Sequence, residues 1–520
     1  MRKIAIALFC GFLIIGVALL GVRGKETTGQ LRLQLVDAES GAKLGGMVRI
    51  TPVDGKKPVE LPGLLDRLRG LKKTEKLTGW YVVPASGAMT SLPMGKYRIE
   101  ALSGLETALA DREIDVIATP QTATIKLTHL FRPKEQKVVA GNTHLHLQGI
   151  SKAECEEYLR QVPAADGIKV MFVSYLERAE IDKAYVTNRY PIGDLKEFEP
   201  TGVIFNNGEE HRHNFEAWGE GYGHVMFLDI KRLVQPVSLG PGITAKGNDE
   251  LPLRPGIDDA RNQGGTIIWC HNQLGHEDVP SALTGRLHAL NVFDGNRAGT
   301  FEENYYRYLN IGLHMPISTG TDWFIYDFSR VYAQVNGKLT VKSWLDALKA
   351  GRNIATNGPM LWLSVEDRPI GDTIGLEKPG GLRIVARGVG RQDFQKLQVV
   401  QNGKVIITET ATKNGDKFEA AIDRNVRVDG PCWFALRIES ETKNELEQQL
   451  FAHSSPIYVE VQGNRNFEPE AARELLKQLE KARDDIRARG KFSDNAARDR
   501  LLALYTDAAR DLNAQIKRRK

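Results

Sequence analysis

Short segments of alternating hydrophobic and polar residues dominate the chain between residues 30 and 132. Apolar side chains recur at every second position in five segments, which are 31–36, 47–51, 80–83, 97–102 and 123–127. A period of two is the spacing of a strand with one buried face, so each segment is predicted to be a β-strand. Glycine, proline and aspartate turns separate the segments. Short strands in this arrangement predict a small β-sandwich over residues 30–132.

From about residue 135 to 355 the pattern changes to apolar strands interleaved with helical stretches. The predicted strands are 137–140, 168–173, 203–205 and 266–269, and the clearest helices are 258–263, 301–309 and 341–350. Alternation of strands and helices is typical of an α/β barrel or a doubly wound sheet, because each helix returns the chain to start a parallel strand.

Strands resume after Asn357, Gly358 and Pro359. Asn402 and Gly403 lie between two apolar segments, which is the pattern of a tight β-hairpin. We predict a second β-sandwich over residues 356–463.

The C-terminal tail has a different pattern from the segments before it. Residues 466–520 carry apolar positions at helical spacing on both sides of a break at 490–494, with a proline at 469. Proline is favoured in the first turn of a helix, so the tail is predicted to be an antiparallel helical hairpin.

The N-terminus carries an apolar run behind two positive charges. Arg2 and Lys3 precede apolar residues 4–22, and polar residues follow. A run of about 19 residues exceeds the usual core of a signal peptide and falls in the range of a single membrane span. Residues 1–24 are therefore predicted to be a cleaved signal peptide or a retained anchor. We expect an exported protein, periplasmic or extracellular, whose membrane attachment is through this segment only.

Composition excludes several broad classes. Hydrophobic residues make up 42% of the 520 residues and charged residues 26%, which excludes a largely disordered, collagenous or polytopic membrane chain. The formal charge of +5 comes from 70 basic and 65 acidic residues. This bias is too weak to indicate a nucleic-acid partner. Four widely spaced cysteines predict neither a disulfide framework nor a cysteine-rich metal site.

Ionisable side chains follow several of the predicted strands in the α/β segment. They are His144 and His146 in "VVAGNTHLHL", Glu209 and Glu210 after "GVIFNNG", His271 at the end of "GGTIIWCH" and Asp322 at the end of "MPISTGTD". In a βα barrel the carboxyl ends of the strands meet at one face, where active sites lie. His144 and His146 stand two residues apart, on one side of an extended chain, which suits a shared metal ion. The same alternation predicts that Cys270 faces away from His271 as a packed thiol.

The ordered set of these segments resembles the polymerase-and-histidinol-phosphatase (PHP) superfamily, in its CehA/McbA-like metallohydrolase branch. The resemblance covers about 135–375 and rests on "GNTHLHL", "NNGEEHRH", "GYGHVMFL", "GGTIIWCHN", "YLNIGLHMPISTGTD" and "GRNIATNGPMLWLSVEDRPIGDTI". It implies a distorted βα barrel over residues 135–355, flanked by the two sandwiches. The phrase "LPMGKYRIEAL" separately resembles a hairpin of carboxypeptidase-regulatory-like sandwich modules.

The resemblance also implies a ligand set. The positions that match metal ligands of the family are His144, His146, Glu210, His224, His271 and Asp322. The first two histidines and the aspartate would bind one metal, the other two histidines would bind a second, and Glu210 would bridge the two. Glu209 is the alternative to Glu210, because "GEE" leaves the register open. Imidazole and carboxylate ligands suit zinc, manganese or iron, so the expected cofactor is one or two divalent metal ions.

Two segments depart from the superfamily pattern. Ser174, Tyr175 and Phe324 stand where the superfamily usually has an Asp-His pair after the second strand and a histidine beyond the final aspartate. These replacements argue against a third metal position. The histidines that could replace the missing groups from nearby loops are His211, His213 and His276.

Hydrolysis is the expected reaction, because such a centre activates bound water and polarises a scissile carbonyl or phosphoryl oxygen. Asp322 or His276 is expected to move the proton. Arg178 and Arg212 either hold an anionic group of the substrate or form salt bridges at the rim. The aromatic residues that either line an apolar wall or serve packing are Trp218, Tyr222 and Trp323. We expect an exported metal-dependent hydrolase of a small ester, phosphoester or carbamate-type substrate.

Two alternatives belong to other functional classes. In the first, the barrel has lost turnover and serves as a metal-containing binding module, while the sandwiches contact polysaccharide or the cell envelope. In the second, the protein is an envelope scaffold whose barrel is only structural. Metal content and turnover distinguish these alternatives from the enzyme.

Overall fold

The computed structural model describes residues 27–71, 79–177, 185–190, 192–193, 195–213, 221–240, 247–271, 275–295 and 298–518. In this part the chain has a mixed α/β fold, rich in strands that form several sheets, and it ends in a pair of helices. The predicted signal peptide or anchor at residues 1–24 lies outside the described residues. No helix within the described ranges is both long enough and apolar enough to cross a membrane.

The N-terminal region (residues 27–132) consists of two facing sheets. Its strands are β1 (Thr28–Asp37), β2 (Lys43–Leu44), β3 (Gly46–Pro52), β4 (Leu65–Asp66), β5 (Tyr81–Val83), β6 (Ala88–Pro93), β7 (Gly95–Leu102), β8 (Ala110–Val116) and β9 (Gln121–Leu127). One sheet has the order β2–β1–β6 with β9 parallel to β1, and the other has the order β4–β5–β3–β7–β8. Alternate residues of β1 pack against Val48 and Ile50 of β3 in a shared core. The five strands predicted from alternation are confirmed.

The middle region (residues 138–356) places strands side by side with helices between many of them. Its strands are β10 (Val138–Asn142), β11 (Leu145–His146), β12 (Val170–Tyr175), β13 (Ile204–His213), β14 (Gly223–Leu228), β15 (Ser238–Leu239), β16 (Thr266–Trp269), β17 (Ala289–Asn291), β18 (Ile317–Ser318), β19 (Asp322–Trp323), β20 (Arg330–Gln334) and β21 (Asn353–Thr356). Its α-helices are α1 (Lys152–Ala165), α2 (Arg254–Asn262), α3 (Asp278–Leu283), α4 (Arg307–Leu309) and α5 (Val341–Lys349). Shorter helical turns cover Val186–Arg189, Lys196–Thr201 and Glu302–Tyr306.

The main sheet of the middle region has the order β18–β17–β16–β14–β13–β12–β10–β20–β21. The neighbours β10, β12 and β13 are parallel, and so are β16, β17 and β18. β14 is antiparallel to both β13 and β16. β13 is longer than the predicted strand at 203–205, and β14 returns directly beside it. Parallel strands bring their carboxyl ends to one edge of the sheet. Several of the predicted ligands come directly after such strand ends and therefore lie at this edge.

The C-terminal region (residues 360–461) adds a second pair of layers. Its strands are β22 (Met360–Val365), β23 (Arg368–Pro369), β24 (Thr373–Leu376), β25 (Gly380–Gly390), β26 (Lys396–Gln401), β27 (Lys404–Thr410), β28 (Thr412–Asn414), β29 (Lys417–Val428), β30 (Cys432–Glu439), β31 (Ala452–Ser454) and β32 (Ile457–Val461). Asn402 and Gly403 both have positive φ, 50° and 81°, as the predicted tight hairpin requires.

One sheet of the C-terminal region is continuous with the sheet of the middle region. β31 pairs with β21, and the ladder continues through β30, β26 and β27. The other sheet, β23–β22–β25–β29–β28, packs against it through a shared apolar cluster. The hydrogen-bonded ladder therefore crosses residue 356, where the sequence pattern predicted the start of a separate sandwich.

The tail forms the predicted helical hairpin. It consists of α6 (Pro469–Arg489) and α7 (Asn495–Arg518), and Pro469 occupies the first turn of α6. Leu475 and Leu479 of α6 and Tyr505 of α7 belong to the same apolar cluster as Phe227 of β14 and Ile267 of β16. The apolar face of the hairpin thus packs on the middle region.

A buried arginine joins the N-terminal region to the end of α1 and to the loop that follows Asp322 and Trp323 of β19. Arg67 follows β4, and its guanidinium makes a bidentate contact with Asp166 at the end of α1, with Nε donating to Oδ1 at 3.1 Å. The two side chains are 0% and 1% exposed. Arg67 also donates to the carbonyl oxygen of Ile325, three residues after Asp322. The N-terminal region therefore holds this loop in place.

Replacing Asp166 with alanine is expected to destabilise the protein strongly, because it leaves the Arg67 guanidinium buried without a counter-charge. We expect a loss of about 3 kcal/mol or more in the free energy of unfolding, measured by urea denaturation. Asp111→Ala is the matched control, since Asp111 and Arg98 form a bidentate pair whose side chains are 43% and 56% exposed. The control should cost less than about 1 kcal/mol. Equal losses in the two variants would contradict this interpretation.

Candidate metal centre

The strand ends of the middle region bring all six predicted ligands together. They are His144 after β10, His146 in β11, Glu210 in β13, His224 in β14, His271 after β16 and Asp322 in β19. The ligand atoms of the first two histidines, Glu210 and Asp322 lie within 4.8 Å of one another, and so do those of Glu210 and the other two histidines. All six side chains are buried. We call these six residues the metal cluster.

Glu210 stands between two pairs of histidines. Its Oε2 lies 2.8 Å from Nε2 of His146 and 3.5 Å from Nε2 of His144. Its Oε1 lies 3.4 Å from Nδ1 of His224 and 3.8 Å from Nε2 of His271. Each carboxylate oxygen therefore faces a different pair of imidazoles, which is the arrangement of a carboxylate able to bridge two cations.

Asp322 also reaches both sides of the cluster. Its Oδ1 lies 3.5 Å from Nε2 of His144, and its Oδ2 lies 4.0 Å from Nε2 of His271. Asp322 and His271 both have left-handed backbone conformations, with φ of 57° and 55°. Such conformations cost non-glycine residues of order 1–3 kcal/mol and persist only where the surroundings hold them, often at functional sites. Here they turn two ligands out of the extended chain and into the cluster.

The acids and imidazoles of the cluster control one another's protonation. Burial alone would raise the pKa of Glu210, but hydrogen bonds from His144, His146 and His271 outweigh it and hold that pKa well below its usual range. Burial lowers the pKa of His271, and its contacts with Glu210 and Asp322 reverse this and raise the pKa to about 9. The buried Glu210 carboxylate thus requires positive charge beside it. A divalent cation fits this donor set and would displace the imidazole protons that otherwise supply the charge.

Asp294 also belongs to the site, although it was not predicted from the sequence. Nδ1 of His144 donates to Oδ2 of Asp294 at 2.7 Å, and the Asn291 side chain donates to the same oxygen at 2.9 Å. A carboxylate on Nδ1 fixes the ring and leaves Nε2 as the ligand atom, an arrangement common behind metal-bound histidines. Asp294 follows β17, so an acid just after the apolar segment "ALNVF" was the available signal.

Glu209 and its neighbouring histidines lie on the opposite face of β13. Oε1 of Glu209 lies 2.8 Å from Nδ1 of His211, and its Oε2 accepts a backbone N–H at 2.6 Å. Burial raises the pKa of Glu209 to about 8. His213 Nδ1 donates to a backbone carbonyl at 2.9 Å. The register that "GEE" left open thus places Glu210 in the cluster, and His211 and His213 do not supply ligands to it.

Three other residues were predicted to take part in catalysis, and they do not all lie beside the cluster. Arg212 is two residues from Glu210 on the same face of β13, and its register partner is His224. Arg178 lies outside the described residues. His276 is packed beside the helical hairpin, where burial lowers its pKa, and the charges acting on it come from Asp278 and from α6. A role for His276 in proton transfer at the cluster therefore gains no support from its position.

Two of the three positions that depart from the superfamily pattern, Ser174 and Phe324, have structural roles. The hydroxyl of Ser174 accepts a backbone N–H at 3.3 Å, and Phe324 packs edge-on against Tyr158 with ring centroids 5.7 Å apart.

The prediction that Cys270 faces away from His271 is wrong, because the Sγ atom of Cys270 lies within 4.8 Å of ring nitrogens of His144 and His271. β16 ends at Trp269, so strand alternation no longer applies at residue 270. Burial raises the pKa of the Cys270 thiol to about 12.

Aromatic rings form one side of the cluster. The rings of Tyr185 and Trp323 lie 4.9 and 5.7 Å from the His146 ring and 5.0 Å from each other. Trp323 is half-buried and so borders both the cluster and solvent. Tyr222 is fully buried, and its hydroxyl donates to a backbone carbonyl at 2.5 Å, which is a packing role. Trp218 lies outside the described residues.

Comparisons with known proteins give little information. No family model and no curated protein matches the chain. One solved structure that it matches is the major pilin subunit of Bacillus cereus, with 7% identity over 84% of this chain and 69% of that chain and a TM-score of 0.22. Another is an FMN-binding beta-glucuronidase from Facaelibacterium prausnitzii L2-6, with 9% identity over 85% and 74% of the two chains and a TM-score of 0.16. Similarities at this level carry no argument about fold or function.

Asp294→Asn is expected to weaken metal binding about 10- to 100-fold, because the neutral amide no longer fixes the His144 tautomer as a carboxylate does. Titration of Zn²⁺ or Mn²⁺ against a chelating dye measures this affinity. Asp327→Asn is the control, since Asp327 is also buried and accepts hydrogen bonds from Ser329 and Asn357 outside the cluster. The control should keep its metal affinity even if it is less stable. Full affinity in Asp294→Asn would remove Asp294 from the site.

Proposed function

We propose that the protein is a metal-dependent hydrolase of the PHP superfamily, in the CehA/McbA-like branch. The observation that carries this proposal is the position of Glu210, whose two carboxylate oxygens each face a separate pair of buried histidines. The donor set consists of imidazoles and carboxylates, which suits one or two ions of zinc, manganese or iron. The spread of the ligands over separate strand ends is also what the superfamily resemblance implies.

In this proposal the middle region is a distorted βα barrel. Its two groups of parallel strands support this architecture. A contact between β18 and β21, the first and last strands of the main sheet of the middle region, also supports it. The Asn353 side chain in β21 donates to the carbonyl oxygen of Ile317 in β18. Ile317 N also donates to the Ser455 hydroxyl at 3.1 Å. Such contacts bring the two ends of the sheet beside each other, as closure of a barrel requires.

The residues of the cluster have distinct roles in the proposed reaction. Bound divalent cations would supply an activated water and polarise the oxygen of the bond that breaks. Asp294 orients His144, and burial of the ligands limits access of other water molecules. Asp322 is the group proposed to hold or move the proton, because its carboxylate reaches one histidine of each pair.

Arg212 and Trp323 are proposed to position the substrate. Arg212 shares a strand face with Glu210, so its guanidinium can pair with an anionic oxygen next to the cluster. Trp323 and Tyr185 offer an apolar surface beside His146. A small ester, phosphoester or carbamate-type substrate fits these two features. Export of the protein, to the periplasm or outside the cell, is part of the proposal and rests on the apolar run at residues 4–22.

A second candidate function is a metal-containing binding or envelope scaffold protein with no turnover. The structural roles of Ser174 and Phe324 favour it, since both replace groups that form a third metal position in the superfamily. In that case the metal cluster would stabilise the middle region, and the flanking sheets would make the contacts with the envelope.

Glu210→Gln is expected to lower metal content at both positions, because a neutral amide cannot bridge two cations. Metal content per protein after dialysis, measured by metal-emission spectroscopy, should fall to about zero. Glu209→Gln is a matched control one residue away on the opposite strand face, and it should keep the wild-type stoichiometry. Loss of metal in Glu209→Gln with retention in Glu210→Gln would reverse the proposed register.

Turnover of ester and phosphoester panels tests the enzyme against the two non-catalytic alternatives. His144→Ala is expected to abolish turnover. Arg212→Gln is expected to raise KM for phosphoesters about tenfold or more and to leave KM for neutral esters nearly unchanged, since a charge-assisted hydrogen bond contributes about 1.5–3 kcal/mol. Bound metal without turnover of either panel would support the binding protein, and a metal-free wild-type protein would support the scaffold.

A further inference from the structure

One end of the N-terminal region presents apolar side chains to solvent. Val53, Met94 and Ile117 are 47%, 47% and 48% exposed. They account for three of the six large hydrophobic side chains that are exposed among the described residues. Each lies in a different connection: Val53 follows β3, Met94 joins β6 to β7, and Ile117 follows β8. We call these three side chains the apolar tip.

Backbone contacts show that the three connections are neighbours. Val53 N donates to the carbonyl oxygen of Lys96 at 3.0 Å, and Lys96 is two residues from Met94. Gly95, which follows Met94, pairs with Val116, and Ile117 is the next residue. The three connections therefore lie side by side at one end of the region, which distinguishes their exposed apolar residues from single apolar residues scattered over a surface.

The apolar tip is remote from the middle region. Met94 N donates to the carbonyl oxygen of Thr27 at 3.0 Å, so the tip lies at the start of β1. The other end of β1 is Asp37, whose carboxylate accepts a hydrogen bond from Arg132 at 2.9 Å, near the start of the middle region. β1 has ten residues and so spans about 30 Å. One end of the N-terminal region thus lies beside the middle region, and the apolar tip is at the opposite end.

The chain enters the N-terminal region at the apolar tip. Thr27 is the first described residue, and the apolar run at residues 4–22 ends only a few residues before it. A fully extended connection of that length reaches about 15 Å. Any membrane that takes up the apolar run is therefore close to the tip. The exposed charges nearby have both signs: Asp54 and Lys56 follow Val53, and Lys96 and Asp115 are register partners on neighbouring strands.

We propose that the apolar tip docks on a lipid bilayer, with Val53, Met94 and Ile117 inserted among the headgroups beside the N-terminal segment. A few apolar side chains bind a membrane only weakly by themselves. The inference rests on retention of the N-terminal run as a membrane anchor, which is one form of the proposed export. An anchored run keeps the tip beside the bilayer, so that the weak contact becomes an intramolecular one. The contact fixes the orientation of the N-terminal region and holds the middle region about 30 Å from the membrane surface.

The test uses the full-length chain reconstituted into phosphatidylcholine vesicles with a nitroxide-labelled lipid. An environment-sensitive fluorophore is attached through Met94→Cys in a Cys10→Ser background, because Cys155, Cys270 and Cys432 are buried. We expect a blue-shifted emission that the nitroxide lipid quenches. Met89→Cys is the matched control, since Met89 is 43% exposed on β6 of the same sheet, opposite Arg32 and away from the tip. Its fluorophore should show neither change.

Variants of the other two tip residues separate docking from attachment by the N-terminal run alone. Val53→Asp with Ile117→Asp should reduce quenching of the fluorophore at position 94 at least twofold. Val405→Asp with Ile406→Asp changes exposed apolar residues of β27 and should leave the quenching unchanged. Equal quenching at positions 94 and 89 would overturn the proposal. Disulfide cross-linking of Met94→Cys between two copies in detergent, without quenching in vesicles, would also overturn it and would assign the tip to a dimer.

Discussion

The carboxylate of Glu210, buried among four imidazoles, is the constraint on which the rest of the structure depends. A charged carboxylate removed from water is stable only where positive charge and hydrogen bonds compensate it. Histidines in β11 and β14 and just after β10 and β16 provide that compensation, so the strands must keep a fixed relative register. Several other features of the middle region serve to hold these strand ends together.

The supporting features act at different distances from the cluster. Left-handed backbone at His271 and Asp322 turns the two side chains inward, and Asp294 fixes the His144 ring. Farther away, the buried guanidinium of Arg67 holds the carbonyl oxygen of Ile325, which follows Asp322 in the chain. The N-terminal region is thereby linked to the geometry of the cluster although it contributes no ligand.

Much of the secondary structure and the set of converging ligands follow from local patterns in the sequence. Strand alternation located β1, β3, β5, β7 and β9, and ionisable residues after apolar strands located the cluster. Local patterns could not choose between Glu209 and Glu210, because the choice depends on where β13 begins. Alternation also misplaced Cys270, since β16 ends one residue earlier. The pairing of β21 with β31 is a long-range contact, and residues distant in sequence leave no local periodicity to reveal it.

The ladder that runs from β21 into β31 has a consequence for how the chain can be divided. Cutting the chain after residue 356 would remove β31 from one side of β21 and leave an open edge of backbone amides and carbonyls there. Bare edges of this kind recruit other strands and promote aggregation. The C-terminal region is therefore not an interchangeable module, and a fragment meant to retain the cluster in soluble form has to extend at least through β32.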